Sequence, residues 1–565
     1  MTPRWRRALA LTALLTLCLP LPRTLAAPTD APSRSEAGPE ERRFRRKTKP
    51  VIPPARPPAS IENKTPPELP PAAPPTQTIT VKEIRVDGSR LIPPDEVRRL
   101  VTPYEGRTVA VSDLQQLAAA LTQWLRGHGY VTSRAYLPPQ EVTSGLVTIQ
   151  ILEGRVGVVR VEGARYSRPA TLFHRMQTRP GALLDYVTLQ RDLARLSANP
   201  DRRATGVLLP GATTGTTDVV VKVEERSPWH LAAIADNAGT KFTGRHRQGA
   251  TVGHNNLTGH DDQLVVRTEV SDRTDFLGTT ANYLLPLGPS GRTLEVQASY
   301  ADVTLSQQFR PLGIAGTSAV LETTWAEPLW QTRHWEVEWT TGASAKRIRT
   351  RESGSVRGKD DLRVLQFGPN ALEEDAVGRS ILTSEVGIGL SRFLGSSRNV
   401  DPSATRSQTG GKFVRLTVSG GRLQHLWGDW QLVARGSWQW TNDRLPPSEM
   451  LRLGGEETVR GYPEGEFLGD YGATGTLELR TPVPMPHHGP RSPLTAIAFL
   501  DGGAGFLRKP LQTEEQKKRL AGVGFGFRWT LSPYTQALLD IGFPMGDTSV
   551  EKDTPRFYYA VSIGF

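Results

Sequence analysis

The chain has 565 residues, a formal net charge of +12 and a hydrophobic content of 37%. This content is low for a helical membrane protein, and beyond the N-terminal apolar stretch no segment offers the roughly 18 consecutive apolar residues that a membrane-spanning helix needs. The single cysteine, Cys18, lies in that stretch, so its removal excludes disulfides and cysteine–metal sites from the mature chain.

The positive charge does not by itself indicate nucleic-acid binding. Seven basic residues lie between Arg42 and Arg56 with no acidic residue among them, and the sequence has no signature of a nucleic-acid-binding fold. A basic barrel beside anionic lipid accounts for the charge equally well. Nucleotide chemistry also lacks support, because Gly410–Lys412 does not have the glycine spacing of a phosphate-binding loop.

Residues 1–26 have the pattern of a secretory signal peptide. Arginines at positions 4, 6 and 7 precede the apolar stretch Ala8–Leu21, and Thr24–Ala26 provides a small-residue cleavage site. A membrane anchor is the alternative, but the apolar run is short and lacks a stop-transfer flank. The sequence therefore predicts export to the periplasm.

Residues 27–78 are dominated by Pro, Arg and Ala, a composition typical of an extended, semi-rigid linker rather than a packed core. Within this segment, residues 34–48 contain the charged stretch Pro39–Thr48, which could form a short helix that is polar on all sides. A solvated basic tail is the alternative interpretation.

Two successive units, residues 79–154 and 155–226, share a predicted strand–helix–helix–strand–strand order. In the first unit a capping box, Ser112–Gln115, opens the second helix and Gly127 ends it. The predicted elements of the first unit are strand 80–86, helices 94–101 and 112–127, and strands 130–137 and 146–152. Those of the second unit are strand 157–162, helices 169–176 and 186–198, and strands 203–209 and 217–224.

A short edge strand beside a helix in such a unit offers unpaired backbone groups and an apolar groove. This combination favours the addition of an extended strand from a binding partner. The alternative is that both units act only as spacers between the rest of the chain and its partner.

Residues 227–565 form a succession of alternating strands separated by Gly, Asn and Asp turns, which predicts an all-β transmembrane barrel of about sixteen antiparallel strands. Alternation is clear near the C-terminus, where Phe557, Tyr559 and Phe565 fall on one face. The predicted strands are 229–238, 247–257, 262–272, 276–286, 292–304, 317–329, 334–347, 360–371, 381–393, 411–421, 429–441, 472–483, 494–506, 519–531, 535–544 and 556–565.

The loop 451–471 interrupts this succession. It is rich in Gly and charge and carries Val459-Arg460-Gly461-Tyr462, so we expect it to fold into the barrel lumen rather than extend into solvent. About forty residues later, Phe499, Asp501 and Gly503 share one face of a strand at period two, while the opposite face is apolar. Asp501 therefore points into the lumen, where Arg460 is its expected partner.

The two motifs, Val459-Arg460-Gly461-Tyr462 and Phe499-x-Asp501-x-Gly503, resemble the paired signature of the BamA-like outer-membrane superfamily. From about residue 79 to 565 the chain is similar to its two-partner secretion branch, the TpsB transporters of the filamentous-haemagglutinin and haemolysin type. The resemblance implies that the two units are POTRA domains and that residues 34–48 plug the pore. It also implies that Phe565, with Tyr559, is the signal for barrel insertion.

The function implied by this resemblance is export of one large, unfolded partner protein from the periplasm across the outer membrane, without ATP or a cofactor. Other expected partners are outer-membrane lipids and, during biogenesis, the barrel assembly machinery. A BamA-like insertase that assembles other barrels is the main alternative. An enzyme on a barrel scaffold lacks a nucleophile elbow, and a passive porin would need neither periplasmic units nor this loop signature.

The turn that follows the first predicted hairpin contains potential metal ligands. They are His254, His260, Asp261 and Asp262. They surround a Gly turn without any catalytic context, so turn chemistry is the preferred interpretation and no metal site is predicted.

Overall fold

The computed structural model describes residues 60–64, 78–142, 144–332, 334–485, 492–512, 514–532, 535–547 and 555–564. The predicted signal peptide, the predicted plug segment and Phe565 lie outside these ranges. Within the described part of the chain, no helix is both long and apolar enough to cross a membrane.

The first unit folds around the helix Val111–Gly127, which buries Leu114, Leu117, Leu121 and Leu125 on one face. These positions recur at intervals of three and four, the spacing that aligns side chains along one side of a helix. The elements that precede the second unit are β1 (Ile61–Asn63), β2 (Thr78–Val81), β3 (Glu83–Asp87), helix Pro94–Val101, β4 (Arg107–Ala110), helix Val111–Gly127, β5 (Arg134–Tyr136) and β6 (Leu146–Leu152).

Local contacts explain where the first unit differs from the prediction. The predicted strand 80–86 is divided at Lys82, because β2 pairs with β4 whereas β3 pairs with β6. The helix begins at Val111 rather than at Ser112, since the Asp113 carboxylate accepts a hydrogen bond of 2.9 Å from the Ala110 N–H. The predicted strand 130–137 is shortened to β5.

The second unit packs two helices against a four-stranded sheet. Its elements are β7 (Arg155–Glu162), helices Pro169–His174 and Tyr186–Leu196, β8 (Arg202–Pro210) and β9 (Thr216–Glu225). The sheet order is β1-β8-β9-β7, so its first strand comes from the segment predicted to be a linker. That prediction was wrong for Ile61–Asn63, which pairs in parallel with β8.

Residues 229–564 form a closed antiparallel barrel in which β10 pairs with β27. The predicted number of about sixteen strands is confirmed, with strand ends displaced by a few residues. The strands are β10 (Trp229–Asp236), β11 (Arg247–Asn255), β12 (Gln263–Ser271), β13 (Phe276–Leu287), β14 (Arg292–Thr304), β15 (Ala315–Gln331), β16 (Trp335–Glu352), β17 (Ser355–Glu374), β18 (Gly378–Gly389), β19 (Phe413–His425), β20 (Gln431–Thr441), β23 (Tyr471–Pro482), β24 (Leu494–Phe506), β25 (Lys517–Ser532), β26 (Thr535–Pro544) and β27 (Arg556–Gly564); β21 (Leu451–Leu453) and β22 (Phe467–Gly469) form a hairpin within the loop that joins β20 to β23.

The two faces of the barrel wall have opposite chemistry. Along β24, Phe499 and Asp501 are buried, whereas Leu500 between them is exposed on the outer surface. Along β25, Val523, Phe525, Phe527 and Trp529 are exposed and the glycines between them face inward. This alternation of an apolar exterior with a polar interior is the pattern of a barrel that crosses a lipid bilayer.

The barrel has two distinguishable ends. β10 begins at Trp229, four residues after β9 of the second unit, so the turns on that side form the proximal end. Because successive strands run in opposite directions, the loop between β20 and β23 emerges from the other, distal end.

Candidate functional site

The loop 442–470 between β20 and β23 returns into the barrel, and most of its residues are buried. Its apolar side chains form a cluster with one residue of the wall; the members are Leu451, Leu453, Val459, Tyr462, Phe467 and Leu520. The wall leaves room for this cluster at Gly505, where a Cβ atom would lie 2.6 Å from Leu453 Cδ1. Burial of these side chains supplies the apolar free energy that holds the loop inside.

Arg460, near the tip of the loop, binds Asp501 of β24 through three hydrogen bonds. Its side-chain Nε and Nη2 donate to the two carboxylate oxygens at 2.7 and 2.9 Å, and its backbone N–H donates at 3.0 Å. The planar guanidinium matches the carboxylate in this bidentate arrangement, which a lysine ammonium cannot reproduce.

Two further carboxylates contact the same guanidinium. Arg460 Nη1 donates to Glu478 of β23 at 3.2 Å and to Asp540 of β26 at 3.0 Å. The guanidinium carbon also lies 3.4 Å from the centre of the Phe499 ring, within the range of a cation–π contact. One side chain therefore fastens the loop to three strands of the wall.

The carboxylates of this cluster have additional cationic partners. Arg480 Nε donates to Glu478 at 2.7 Å, and Arg528 donates to both oxygens of Asp540 at 2.5 and 2.9 Å. Arg435 also interacts electrostatically with Glu478 and Asp501, so four guanidiniums surround the three carboxylates. Asp501 differs from the other two because all three hydrogen bonds described for its carboxylate come from Arg460.

The tip of the loop touches the wall with no intervening space. The Gly461 N–H donates to the Tyr558 hydroxyl at 2.9 Å, and that hydroxyl donates to the Tyr462 carbonyl at 2.8 Å. Gly461 has a φ of +99°, and a Cβ atom there would lie 2.7 Å from Pro544 N. A side chain at Gly522 would likewise meet the Arg460 carbonyl oxygen at 2.0 Å.

A second charged cluster joins the barrel to the second unit at the proximal end. Asp261, in the turn between β11 and β12, contacts Arg175 and accepts hydrogen bonds from Arg202 at 2.7 Å and from Asn199 at 2.9 Å. All four side chains are buried. Burial, together with the nearby charges of Arg202 and Arg195, lowers the pKa of Arg175 to about 10, so it stays charged at neutral pH.

Other turns at the proximal end also contact the second unit. The Arg191 side chain donates to the Gln331 carbonyl at 3.3 Å, and Asn255 Nδ2 donates to Asp201 at 2.7 Å. Several barrel strands therefore contact this unit through polar groups.

Comparison with known proteins identifies the family. The model of the haemolysin secretion/activation protein ShlB/FhaC/HecB family matches residues 215–529, more than half of the chain. The chain belongs to this family. A second model, the POTRA domain of ShlB type, matches residues 79–154.

Curated relatives match over most of their length. The outer membrane transporter CdiB of Dickeya dadantii (strain 3937) is 24% identical over 86% of this chain and 86% of its own. The heme/hemopexin transporter protein HuxB of Haemophilus influenzae is 23% identical over the same fractions. The hemolysin transporter protein HpmB of Proteus mirabilis is 23% identical over 72% of this chain and 73% of its own.

Solved structures support the same fold. CdiB from Escherichia coli superposes with a TM-score of 0.73 at 20% identity, covering 96% of this chain and all of that one. BamA from Haemophilus ducreyi lacking POTRA domains 1–3 gives a TM-score of 0.52 at 16% identity, covering 86% of this chain and 100% of that one. Because the curated relatives are outer-membrane transporters and the first unit is a POTRA domain, the barrel lies in the outer membrane with its proximal end toward the periplasm. Loop 442–470 then enters the lumen from the extracellular end.

The predicted site residues fall into two groups in this structure. The loop motif and the wall motif lie together, and Gly503 contributes by leaving space for Leu453, whose Cδ2 would be 2.9 Å from a Cβ atom there. Tyr559 lies elsewhere, with its hydroxyl 2.9 Å from His246 Nδ1 and its N–H bound by the Asn237 side chain.

Several members of both clusters are not among the residues predicted from the sequence. Glu478, Asp540 and Tyr558 complete the lumen cluster, and period-two alternation within their strands was a usable signal because it assigns them to the inner face. Asp261 was interpreted as turn chemistry. Its arginine partners lie 86 and 59 positions earlier in the chain, so local sequence gave no sign of them. Within the described residues, no group of three or more His, Cys, Asp or Glu side chains is arranged to hold a metal.

Proposed function

We propose that this chain is an outer-membrane pore that takes up one large, unfolded partner protein in the periplasm and exports it across the outer membrane. The proposal is supported by membership of the haemolysin secretion/activation family and by relatives named as transporters. The observation that carries it is a loop folded into the lumen, whose tip is fastened to three strands of the inner wall by Arg460.

The loop is proposed to line the export route rather than only to stiffen the barrel. Glu449, near the start of the loop, contacts Lys346 of β16 and Arg415 of β19. Arg460 separately holds the tip of the loop against β23, β24 and β26. Without that attachment the loop would be free to obstruct the lumen. The motif Val459-Arg460-Gly461-Tyr462, with Phe499, Asp501 and Gly503, is therefore assigned to positioning this loop for transport.

The two periplasmic units are proposed to bind the partner as an extended strand. Residues 34–48 are proposed to plug the resting pore, and Phe565 with Tyr559 to direct insertion by the barrel assembly machinery. Nothing in the periplasm supplies ATP, so progressive folding of the partner outside the cell is the proposed source of direction. A partner that cannot fold should then be exported more slowly than its foldable form.

Comparison of the proteins released by cells with and without this transporter tests the function. We expect one large protein to disappear from the medium when the gene is deleted, and to return when the gene is restored. A BamA-like insertase predicts a different result, in which several unrelated barrels decrease in the outer membrane. If neither the medium nor the outer membrane changes, the proposed function is wrong.

A further inference from the structure

The outer surface of the barrel carries a cluster of basic side chains on β16 and β17. Along β16, Arg347, Arg349 and Arg351 recur at period two, and the residues between them are buried. Because neighbouring residues of a strand point to opposite faces, all three arginines face outward. β17 adds two further outward cations, Lys359 and Arg363. We call these five side chains the outer basic cluster.

One carboxylate is shared by three members of this cluster. Arg349 donates hydrogen bonds to both carboxylate oxygens of Asp361, at 2.8 and 2.9 Å. Lys359 Nζ and Arg347 Nε lie 3.4 and 3.7 Å from the same carboxylate. The Arg347 side chain is 68% exposed, and an exposed pair at such a distance contributes little. Asp361 therefore neutralises only part of the charge around it.

The other two members are also incompletely neutralised. Asp302 of β14 interacts electrostatically with Arg351. Within the described part of the chain, no carboxylate forms an ion pair with Arg363, whose guanidinium donates to the Leu362 carbonyl at 2.9 Å. Five positive charges therefore face two negative ones, and the cluster has an excess of positive charge that an anionic partner would balance.

The cluster lies at the extracellular boundary of the apolar band of the barrel. Near the periplasmic ends of the same two strands, Trp339 and Phe367 stack on each other. Arg347 follows Trp339 by eight residues, which is about 26 Å along a strand at about 3.3 Å per residue. A strand tilt of about 40° converts this length into a height of about 20 Å, close to the band height of about 25 Å. The cluster therefore lies at the level of the lipid headgroups of the outer leaflet.

A groove lies directly beside the cluster on the surface that faces lipid. Its volume is about 380 Å³, and four alanines on β13 to β16 contribute to its lining, together with two arginines of the cluster; these residues are Ala281, Ala298, Ala319, Ala345, Arg347 and Arg363. Ala319 is the strand partner of Arg347, and Ala345 is that of Arg363. Small side chains leave a recess in the wall, and an acyl chain can fill such a recess through dispersion contacts alone.

We propose that this groove and the outer basic cluster bind lipid A, the phosphorylated and multiply acylated glycolipid of the outer leaflet. One phosphate lies against Arg347 and Arg363, because a planar guanidinium donates two parallel hydrogen bonds to such a group. One acyl chain lies along the alanines of the groove. Headgroups of the inner leaflet lie at the opposite boundary of the apolar band, so a lipid of the outer leaflet fits both parts of the site. This inference depends on the position of the barrel in the outer membrane and not on what the barrel exports.

Arg347→Gln with Arg363→Gln tests the charged part of the site. The purified transporter is titrated with lipid A, and the bound lipid is counted by native mass spectrometry. We expect the affinity of the variant to fall at least about tenfold, because both charge-assisted contacts are lost. The matched control, Lys517→Gln with Arg519→Gln, removes two exposed cations at the extracellular end of β25 and should keep the affinity of the wild type.

Ala345→Phe tests the apolar part of the site and leaves every cation in place. The added ring fills the groove, so we expect weaker binding of lipid A. Ala343→Phe is the matched control, because Ala343 is the preceding outward position of β16 and does not line the groove. Its affinity for lipid A should be that of the wild type.

Competing ligands identify which lipid the site takes. We expect the wild type to bind lipid A more tightly than lipid A without its phosphates, and inorganic phosphate not to displace it. Equal affinity for lipid A and phosphatidylglycerol would show a surface for any anionic lipid and would overturn the proposal.

The two variants can also overturn the proposal directly. Normal binding of lipid A by Arg347→Gln with Arg363→Gln, in a barrel with normal heat-modifiability, would exclude the cluster as the phosphate site. If that variant binds lipid A normally but loses secretion, the cluster contacts the exported protein instead. Normal binding by Ala345→Phe would exclude the groove.

Discussion

The two arginine–carboxylate clusters of this transporter have opposite stoichiometry. In the lumen, one guanidinium, Arg460, contacts three carboxylates from three strands. At the periplasmic joint, one carboxylate, Asp261, contacts two guanidiniums from the second unit. In each case the single residue lies on a loop or turn. The partners of Arg460 lie on barrel strands, whereas those of Asp261 lie directly after the helix Pro169–His174 and at the start of β8.

This difference indicates which side chains are irreplaceable. Removal of the single member breaks all of its ion pairs at once, whereas removal of one of the several partners leaves the others in contact. Arg460 and Asp261 should therefore be far more sensitive to substitution than Arg480 or Arg175, although all four take part in ion pairs. Substitutions at these residues and at Tyr558 and Arg292 test this order of sensitivity.

The largest effect is expected for Arg460→Ala. It leaves buried carboxylates without their shared cation, and Asp501 loses both side-chain hydrogen bonds from Arg460, which costs on the order of 3–5 kcal/mol of loop attachment. We expect a fluctuating conductance with blocked intervals in planar bilayers, because the released loop tip intermittently obstructs the lumen. The matched control, Arg480→Ala, removes a partly exposed arginine that binds Glu478 alone and should keep the normal conductance. Equal conductance for both variants would contradict the ranking.

A smaller effect is expected for Asp261→Asn at the joint. The neutral amide still offers an oxygen, but two buried guanidiniums lose their counter-charge. We therefore expect the joint to lose about 2 kcal/mol of stability, a value typical of hydrogen bonds to charged groups. The measurement is the rate of proteolytic cleavage in the connection 226–228, which should rise. Asp262→Asn is the control, since that carboxylate binds Thr258 within its own turn. Equal cleavage rates in both variants would exclude a special role for Asp261.

A still smaller effect is expected for Tyr558→Phe at the tip of the loop. The Tyr558 hydroxyl both accepts from Gly461 and donates to Tyr462, so its loss leaves a buried N–H and a buried carbonyl unpaired. We expect a loss of about 1 kcal/mol of loop attachment. Conductance noise between that of the wild type and Arg460→Ala would agree with this value, and noise as large as in Arg460→Ala would not.

The smallest effect is expected for Arg292→Ala. Arg292 forms a short ion pair of 2.8 Å with Glu327, but both side chains are substantially exposed. Exposed pairs contribute about 0–1 kcal/mol because water and salt screen them. We expect unchanged conductance, cleavage rate and heat-modifiability. A marked change in any of them would show that burial is not what separates the two clusters from ordinary surface pairs.

The fold was largely predictable because its signals are local. Each barrel strand alternates apolar and polar residues over its own length, and a motif of four loop residues marked Arg460. The contact between Arg460 and Asp501 followed from the inner-face position of Asp501. Its other partners required knowledge of which strands are neighbours in the closed barrel.

Two features could not be predicted from local sequence. β1 is only three residues long and lies in a segment rich in proline, so no periodicity distinguishes it; it is a strand because β8 offers an edge and Gly206 offers space. The Asp261 joint depends on residues of a separate folded unit. In both cases tertiary contacts, rather than local preference, decide the structure.

The most direct test of the central claim, that Arg460 positions the inner loop for transport, is secretion by cells that carry Arg460→Ala. The exported protein is measured in the medium, and the amount of folded barrel is checked by heat-modifiability of the transporter. We expect secretion to be lost while the folded barrel remains at its normal level. Unchanged secretion with a normal barrel would contradict the claim and reduce the contact of Arg460 with Asp501 to a structural role.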